Sequence, residues 1–246
     1  MRNFGLIGYP LEHSFSKKYF EEKFEQLSID AAYHLFPVSS PDRIPEFLHR
    51  HSRFCGFNVT IPYKTEIISC LDAVDEDAQQ IGAVNVVLNT GAGWSGYNTD
   101  WIGFKDSLLP LWHPGIVRAL VLGTGGASKA VTFALTRLNI RITQVSRTGD
   151  GNTILSYKDI DRSVIERHQL IVNTTPLGMY PGISGIPDLP YEYLNSDHLL
   201  YDLVYNPEET LFLKKGKSMG ARIKNGWEML VLQAEAAWRI WTQQDQ

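Results

Sequence analysis

The chain is poor in cysteine, has no strong charge excess and contains no long apolar run. Only Cys55 and Cys70 are cysteines, and they form no CxxC pair. A disulfide-held secreted scaffold is excluded, and this usage suits a reducing cytoplasm. The seven histidines include no HExxH run and no Cys/His cluster, so no metal-ligand pattern is present. Lysine and arginine number 23 against 27 acidic residues, a net charge of −4, which lacks the basic excess of a nucleic-acid binder. Apolar stretches such as residues 116–122 fall far short of the ~20 residues of a membrane span. The opening residues 1–8 are too short an apolar stretch for a secretory signal and read as a strand. No internal repeat appears, which excludes a solenoid. These absences predict a cytoplasmic protein with no nucleic-acid, membrane or metal partner.

What is present is a globular composition, 43% hydrophobic and 20% charged over 246 residues. That length exceeds the roughly 100–200 residues of one domain, so two are expected. Residues 3–8, 31–38 and 55–59 read as strands. Between them Phe15, Tyr19, Phe20, Phe24 and Leu27 recur at helical spacing, with Ser14 or Ser16 as a cap. Ile44, Phe47, Leu48 and His51 share one face of a helix opened by Pro41-Asp42. Residues 85–88 and 94–97 flank Gly91-Ala92-Gly93, a hairpin signal. Strands separated by helices imply an open, largely parallel α/β sheet with one antiparallel hairpin. A helix follows Asp100, and residues 110–115 then break the pattern and separate two α/β series. The second series has strands at 117–122, 141–146, 169–172, 199–204 and 221–223, with a helix at 127–138. It is followed by an amphipathic helix with apolar residues at 227, 230, 231, 234, 238 and 241.

Gly123-Thr124-Gly125-Gly126-Ala127-Ser128 sits where a buried strand turns into a helix. The first glycine permits the tight turn, the second a close approach of backbone to a pyrophosphate, and the helix start offers free N–H groups. The third fingerprint position holds Ser128 where Gly or Ala is usual. About 20 residues on, an NAD site carries an acid for the ribose 2′-hydroxyl. Here Ser146-Arg147-Thr148 stands instead. A guanidinium binds a 2′-phosphate through charge-assisted hydrogen bonds, so the pattern favours NADP over the bland reading of Arg147 as a solvated charge.

Polar residues gather at the expected strand ends of the first half: Ser14, Ser16, Asn58, Thr60, Lys64, Asn85, Asn98 and Asp100. Ligands in open α/β sheets bind beyond those ends. Oxidising an alcohol or reducing its ketone needs a group that moves the hydroxyl proton. Lys64 with Asp100 is the pair to weigh. On spacing alone, a proton-transfer pair and a surface lysine beside a helix-capping aspartate stand level. Ser14 and Ser16 are equally open, since either is also a plain N-cap.

Taken in order, these blocks resemble the shikimate dehydrogenase family over nearly the whole chain. Gly8-Tyr-Pro-Leu-Glu-His-Ser-Phe-Ser16 resembles G-x-P-x-x-H-S-x-S, and Asn58-Val-Thr-Ile-Pro-Tyr-Lys64 resembles N-V-T-x-P-x-K. Gly82-Ala-Val-Asn85 and Asn98-Thr-Asp100 match G-A-V-N and N-T-D. Asn173-Thr-Thr-Pro-Leu-Gly-Met179, Tyr201-Asp-Leu-Val-Tyr205 and the run from Asn225 to Gln233 resemble further family segments. The resemblance implies an α/β protein with an N-terminal open α/β substrate domain, residues 1–101 and 226–246, plus a Rossmann-like NADP-binding domain, residues 102–225. It implies NADPH-dependent reduction of 3-dehydroshikimate to shikimate, with Lys64 and Asp100 catalytic.

The implied substrate site comprises Ser14, Ser16, Thr60, Lys64, Asn85, Asp100, Tyr205 and Gln233. The implied cofactor site comprises Gly123, Gly125, Gly126, Ala127, Ser128, Ser146, Arg147, Thr148, Thr174, Met179, Leu203 and Gly226. The partner is a small molecule, and the assembly a monomer or homodimer. The alternatives are a quinate/shikimate dehydrogenase using NAD and a non-catalytic NADPH-binding module. The chain departs from the family pattern at four places. Ser146 replaces the usual Asn, and Gly149-Asp150-Gly151 stands where a second arginine is expected, with a carboxylate that would oppose a phosphate. Trp101 and Trp227 stand where smaller residues are commoner.

Overall fold

The structure, a computed structural model, describes residues 1–11 and 14–242. The chain divides into two compact units, Met1–Thr99 with Ala234–Gln246, and Asp100–Gln233. The first contains β1 (Arg2–Gly8), α1 (Phe15–Gln26), β2 (Ala31–Pro37), α2 (Ile44–Arg50) and β3 (Gly56–Val59). It continues with β4 (Ala73–Val74), α3 (Glu76–Ile81), β5 (Val86–Asn89) and β6 (Trp94–Tyr97). The second contains α4 (Asp100–Leu108), β7 (Arg118–Leu122), α5 (Gly126–Arg137), β8 (Arg141–Ser146), β9 (Ile154–Ser156) and α6 (Arg162–Arg167). There follow β10 (Leu170–Asn173), β11 (Leu199–Asp202), α7 (Leu211–Ser218), β12 (Arg222–Lys224) and α8 (Trp227–Thr242). The last residues of α8, from Ala234 on, belong to the first unit. No helix among the described residues is long and apolar enough to cross a membrane.

The first sheet has the order β2-β1-β3-β5-β6-β4. Its strands run parallel except β5, which is antiparallel to both β3 and β6. The expected hairpin is thus present, and reversal of this one strand also sets its pairing with β3. Five consecutive buried residues end β1, as in a strand covered on both faces. Phe20 and Phe24, four apart on α1, bury one helix face, while Asp75 caps α3 through Asp77 N and Gly82 ends it in the left-handed region.

The second sheet is wholly parallel, in the order β12-β11-β10-β7-β8-β9. The chain runs outward through β7, β8 and β9, returns, and runs outward the other way through β10, β11 and β12. The order reverses between β7 and β10, and a crevice at such a point is where ligands bind in doubly wound sheets. Residues 110–115 fall inside this unit. Phe104 and Leu108 of α4 are buried in one cluster with Ala119, Val131 and Tyr201, so the helix before the break belongs to the second core.

In the first unit Phe4, Phe20, Phe24, Tyr33 and Trp241 form one aromatic core. Gly56 makes room for the indole, since a Cβ there would lie 2.3 Å from Trp241 Nε1. The same nitrogen donates to Val87 O at 3.1 Å, so the polar edge of the ring is satisfied in the core. Glu235 accepts from both Tyr19 and Lys23 of α1, which holds the last turns of α8 to this sheet. Trp241→Ala therefore removes a large buried ring and its hydrogen bond. It is expected to lower unfolding free energy by about 3–5 kcal/mol in denaturant titration.

Candidate active site

Strand register brings separate segments of the first unit to one sheet edge. Ile7 pairs with Val59, Asn58 with Val86, and Val86 with Tyr97. The segments following β1, β3 and β6, and Asn85 preceding β5, therefore share the edge where parallel strands end. Lys64 O accepts from Val84 N at 2.7 Å, and the next residue, Asn85, is buried. Asn85 Oδ1 accepts from Thr99 N at 2.7 Å, and Asn85 Nδ2 donates to Thr99 Oγ1 at 3.0 Å. These bonds join the backbone of Lys64 to the residue preceding Asp100, which is itself buried at the start of α4. Thr60 follows β3, its N–H donating to Ile7 O at 2.9 Å.

Ser14 occupies the N-cap position of α1 and makes no capping bond. Its hydroxyl is buried and has no hydrogen-bond partner among the described residues. The plain capping reading is thus unrealised, and a buried polar group without a partner costs about 1–3 kcal/mol. Ser16 lies near the Tyr33 hydroxyl, which donates to Asn58 Oδ1 at 2.7 Å. Burial pushes the Tyr33 phenol far above its usual range. Asn58 Nδ2 donates on to Asn85 O at 3.4 Å. Tyr33 lies outside the sequence motifs, on a segment read only as a strand, and nothing in its spacing marks it. Glu12 and His13 of the first motif lie outside the described residues.

The second unit repeats the arrangement. Leu122 pairs with Val145 and Asn173, and Asn173 with Asp202, so the loops leaving β7, β8, β10 and β11 emerge on one edge. Gly123 has φ +114°, and a Cβ there would stand 2.6 Å from Thr174 Oγ1, so only glycine fits. Thr174 closes the crevice floor by donating its N–H and hydroxyl to Leu122 O at 3.0 and 2.7 Å. Space lies open where Cβ atoms of Gly125 and Gly126 would be. The first intrahelical bond of α5 runs from Lys129 N to Gly125 O, so the N–H groups of Gly126, Ala127 and Ser128 precede it. No side chain caps this helix. The cradle fits a pyrophosphate. Ser128 is buried, its hydroxyl donating to Gly123 O at 2.8 Å and accepting from Gln144 at 3.1 Å. That bonding accommodates a polar residue at the third fingerprint position.

Arg147 and Thr148 are exposed just past β8, and Ser146 Oγ accepts from Gly149 N at 2.9 Å. Asp150 differs from its expected posture. Its carboxylate accepts from the N–H groups of Asn152, Thr153 and Ile154, each at 2.8 Å, and from the Thr153 hydroxyl at 2.5 Å. Hydrogen bonds led by that of Thr153 hold it well below the usual carboxylate range. Its lone pairs are committed to its own loop rather than directed at a phosphate. Met179 is exposed on the loop after β10. Gly226 permits close backbone contact, since a Cβ would lie 2.0 Å from Leu203 O. Tyr205 is half-buried, with its ring 6.0 Å from that of Trp227. Gln233 is buried and donates to Leu230 O at 2.9 Å. Gly103 brings α4 against α8, because a Cβ there would meet Met229 O at 2.5 Å and Gln233 N at 2.9 Å. The helices that begin with Asp100 and carry Gln233 are thereby in contact. Trp101 packs its ring against Phe133 of α5, centroids 5.3 Å apart.

These features define an α/β protein with a dinucleotide-binding type of strand–turn–helix edge in one unit and a polar sheet edge in the other. Residues 6–87 match the family model described as the shikimate dehydrogenase substrate binding domain. A shikimate dehydrogenase (NADP(+)) of Halothermothrix orenii is 39% identical over 260 residues, covering 97% of this chain and 90% of the relative. A crystal structure of shikimate dehydrogenase in complex with NADP+ superposes with a TM-score of 0.89 at 33% identity, covering 99% of this chain and 90% of the other. The Thermus thermophilus enzyme in complex with NADP(H) and shikimate gives a TM-score of 0.88 at 32% identity, covering 99% and 94%. The chain belongs to the shikimate dehydrogenase family.

One titration follows from the second edge. Asp202 is fully buried, and desolvation raises its carboxyl from 3.8 to about 6, against the lowering effect of bonds from Thr210, Val204 and Asn173. Well below pH 4 the group is protonated folded and unfolded, and well above pH 6 it is ionised in both. Between them the folded state binds the proton more tightly, so stability falls as pH rises through this window, by about 3 kcal/mol in all. Asp202→Asn is expected to flatten that descent in denaturant titrations at pH 4 and 7.

Proposed function

We propose that the chain catalyses reversible reduction of 3-dehydroshikimate to shikimate with NADPH, a step toward chorismate and the aromatic amino acids. It acts in the cytoplasm on a small molecule, as a monomer or homodimer and without nucleic-acid or membrane partners. Residues 1–101 and 226–246 serve as the substrate domain and residues 102–225 as the NADP domain. NADPH supplies the hydride when bound. Gly123, Gly125, Gly126, Ala127 and Ser128 hold its pyrophosphate with backbone N–H groups and close approach. Arg147, with Ser146 and Thr148, holds the 2′-phosphate, and Thr174, Met179, Leu203 and Gly226 line the remainder.

Ser14 and Ser16 receive the substrate carboxylate by hydroxyl donation, which gives the unpartnered Ser14 hydroxyl an acceptor. Thr60, Asn85, Tyr205 and Gln233 orient the ring hydroxyls. Lys64 gives its proton to the C3 oxygen during reduction and recovers it during oxidation, and Asp100 orients the ammonium and the hydroxyl. The observation that carries the reading is the bonded path from Lys64 through Val84, Asn85 and Thr99, which ties the segments bearing both proton-handling groups. The basic end of β8, with no acid for a ribose hydroxyl, supports NADP over the NAD-using quinate/shikimate alternative. A non-catalytic NADPH-binding module has no need of Lys64 and Asp100 together.

An absorbance assay at the nicotinamide band with shikimate and NADP tests the reaction. Lys64→Ala is expected to lower kcat by about 10²–10⁴ while NADPH binding stays close to wild type, and an unchanged turnover rate overturns the assignment. Arg147→Ala is expected to raise the KM for NADPH about 10-fold or more, the loss of a charge-assisted hydrogen bond, and to leave that for NADH within twofold. Equal effects on the two cofactors defeat the phosphate role.

A further inference from the structure

Asp202 has no part in the chemistry above, yet it is fully buried at the end of β11, between the two loops that carry Met179 and Tyr205. Its oxygens accept from three separate pieces of chain. Oδ1 takes Asn173 Nδ2 at the end of β10 and Val204 N in the following loop, each at 3.0 Å. Oδ2 takes the Thr210 hydroxyl, which caps α7, at 2.6 Å. Asn173 relays the constraint outward, its Oδ1 accepting from Thr175 N at 3.1 Å and Thr175 Oγ1 at 2.6 Å. Thr210 touches the same loop further on. Gly178 is left-handed there, with φ +87°, and a Cβ on it would lie 3.2 Å from Thr210 Cβ. The loops are also joined directly, by Tyr180 N to Asn206 O at 3.1 Å and Leu203 N to Asn173 O at 3.0 Å.

We infer that Asp202 is a positioning residue, whose carboxylate binds Asn173, Val204 and Thr210 at once and so fixes the loops that seat Met179 and Tyr205 for the reaction. The catalytic consequence rests on the proposed function; the ordering of the loops does not. An unpaired donor left in a buried site loses its bond to water as well as to protein, so truncation frees three donors together. Asparagine preserves the geometry. Its carbonyl replaces Oδ1, and its amide donates to the Thr210 oxygen in place of Oδ2.

The test compares Asp202→Ala, Asp202→Asn and Thr210→Val with wild type, at a temperature where circular dichroism shows each folded. In protein without cofactor, amide hydrogen exchange over residues 174–180 and 203–206 is expected to speed up at least 10-fold in Asp202→Ala. The same segments stay within threefold of wild type in Asp202→Asn, and β7 and β8 keep their protection in both. With substrates, Asp202→Ala is expected to lose at least 10-fold in kcat and to raise its Kd for NADPH by a smaller factor, because Arg147 and the glycine loop are untouched while the loosened loops line only part of the cofactor site. Thr210→Val falls between, and carries the test if the alanine variant does not fold. The inference is overturned if exchange in these loops is unchanged, if it rises uniformly across the sheet, or if asparagine is as damaging as alanine. It is equally overturned if kcat falls by no larger a factor than NADPH affinity does. A wild type with ordered loops and no turnover of shikimate sinks the proposed reaction alone.

Discussion

Parallel strand pairing is the constraint on which the rest depends. When neighbouring strands run the same way their carboxyl ends meet at one edge, and residues far apart in sequence become neighbours without any loop having to find them. In the first sheet this brings the segments after Val59 and Tyr97 together, and the reversed β5 adds Asn85 from its beginning rather than its end. In the second it aligns Leu122, Val145, Asn173 and Asp202. The functional groups are then set by what leaves each strand, so chemistry is determined by a few residues beyond a regular hydrophobic frame.

The polar groups at these two edges are held by opposite logic. Asn85, Ser128, Asn173 and Asp202 are buried and bonded to protein, which gives fixed geometry at low cost in unmade bonds. Ser14 is the contrast. It keeps a buried hydroxyl without a partner among the described residues, at the head of a helix whose aromatic face is firmly packed. A capping bond would have stabilised α1 by about 1 kcal/mol, and the chain forgoes it. Such a sacrifice is what the proposed carboxylate-binding role of Ser14 requires, since a donor kept for a ligand cannot also cap the helix.

Legibility in the sequence followed the physics of each element. Strands such as β1 and β7 were plain because buried parallel strands are continuous apolar runs, and α5 was plain from the glycine turn that precedes it. The strands and helices with little periodicity to read escaped: β4 has two residues, β9 three, α3 and α6 six each, and α7 carries Gly216 among lysines. The glycine loop was legible because it depends on local backbone, whereas Tyr33 bonds to Asn58 and Asp202 to Asn173, partners on other strands. The segment 110–115 looked like a boundary because Pro and Gly interrupt a helix, yet burial of Phe104 and Leu108 assigns that helix to the second core. Asp150 was misleading for a related reason. Its charge was visible, but not the four donors of its own loop.

Glycines mark where the two units are least free to vary. At Gly123 a side chain meets both a forbidden backbone conformation and the Thr174 hydroxyl, and at Gly226 it meets a carbonyl 2.0 Å away. Gly103 and Gly56 are different, since nothing about their backbone demands glycine; they admit another element, α8, against α4 in one case and through Trp241 in the other. One C-terminal helix therefore depends on two glycines separated by nearly fifty residues. Its position is determined by missing side chains as much as by those it buries. A motif search sees only Gly123 and its neighbours, because close approach between distant backbones leaves no periodic trace in the sequence.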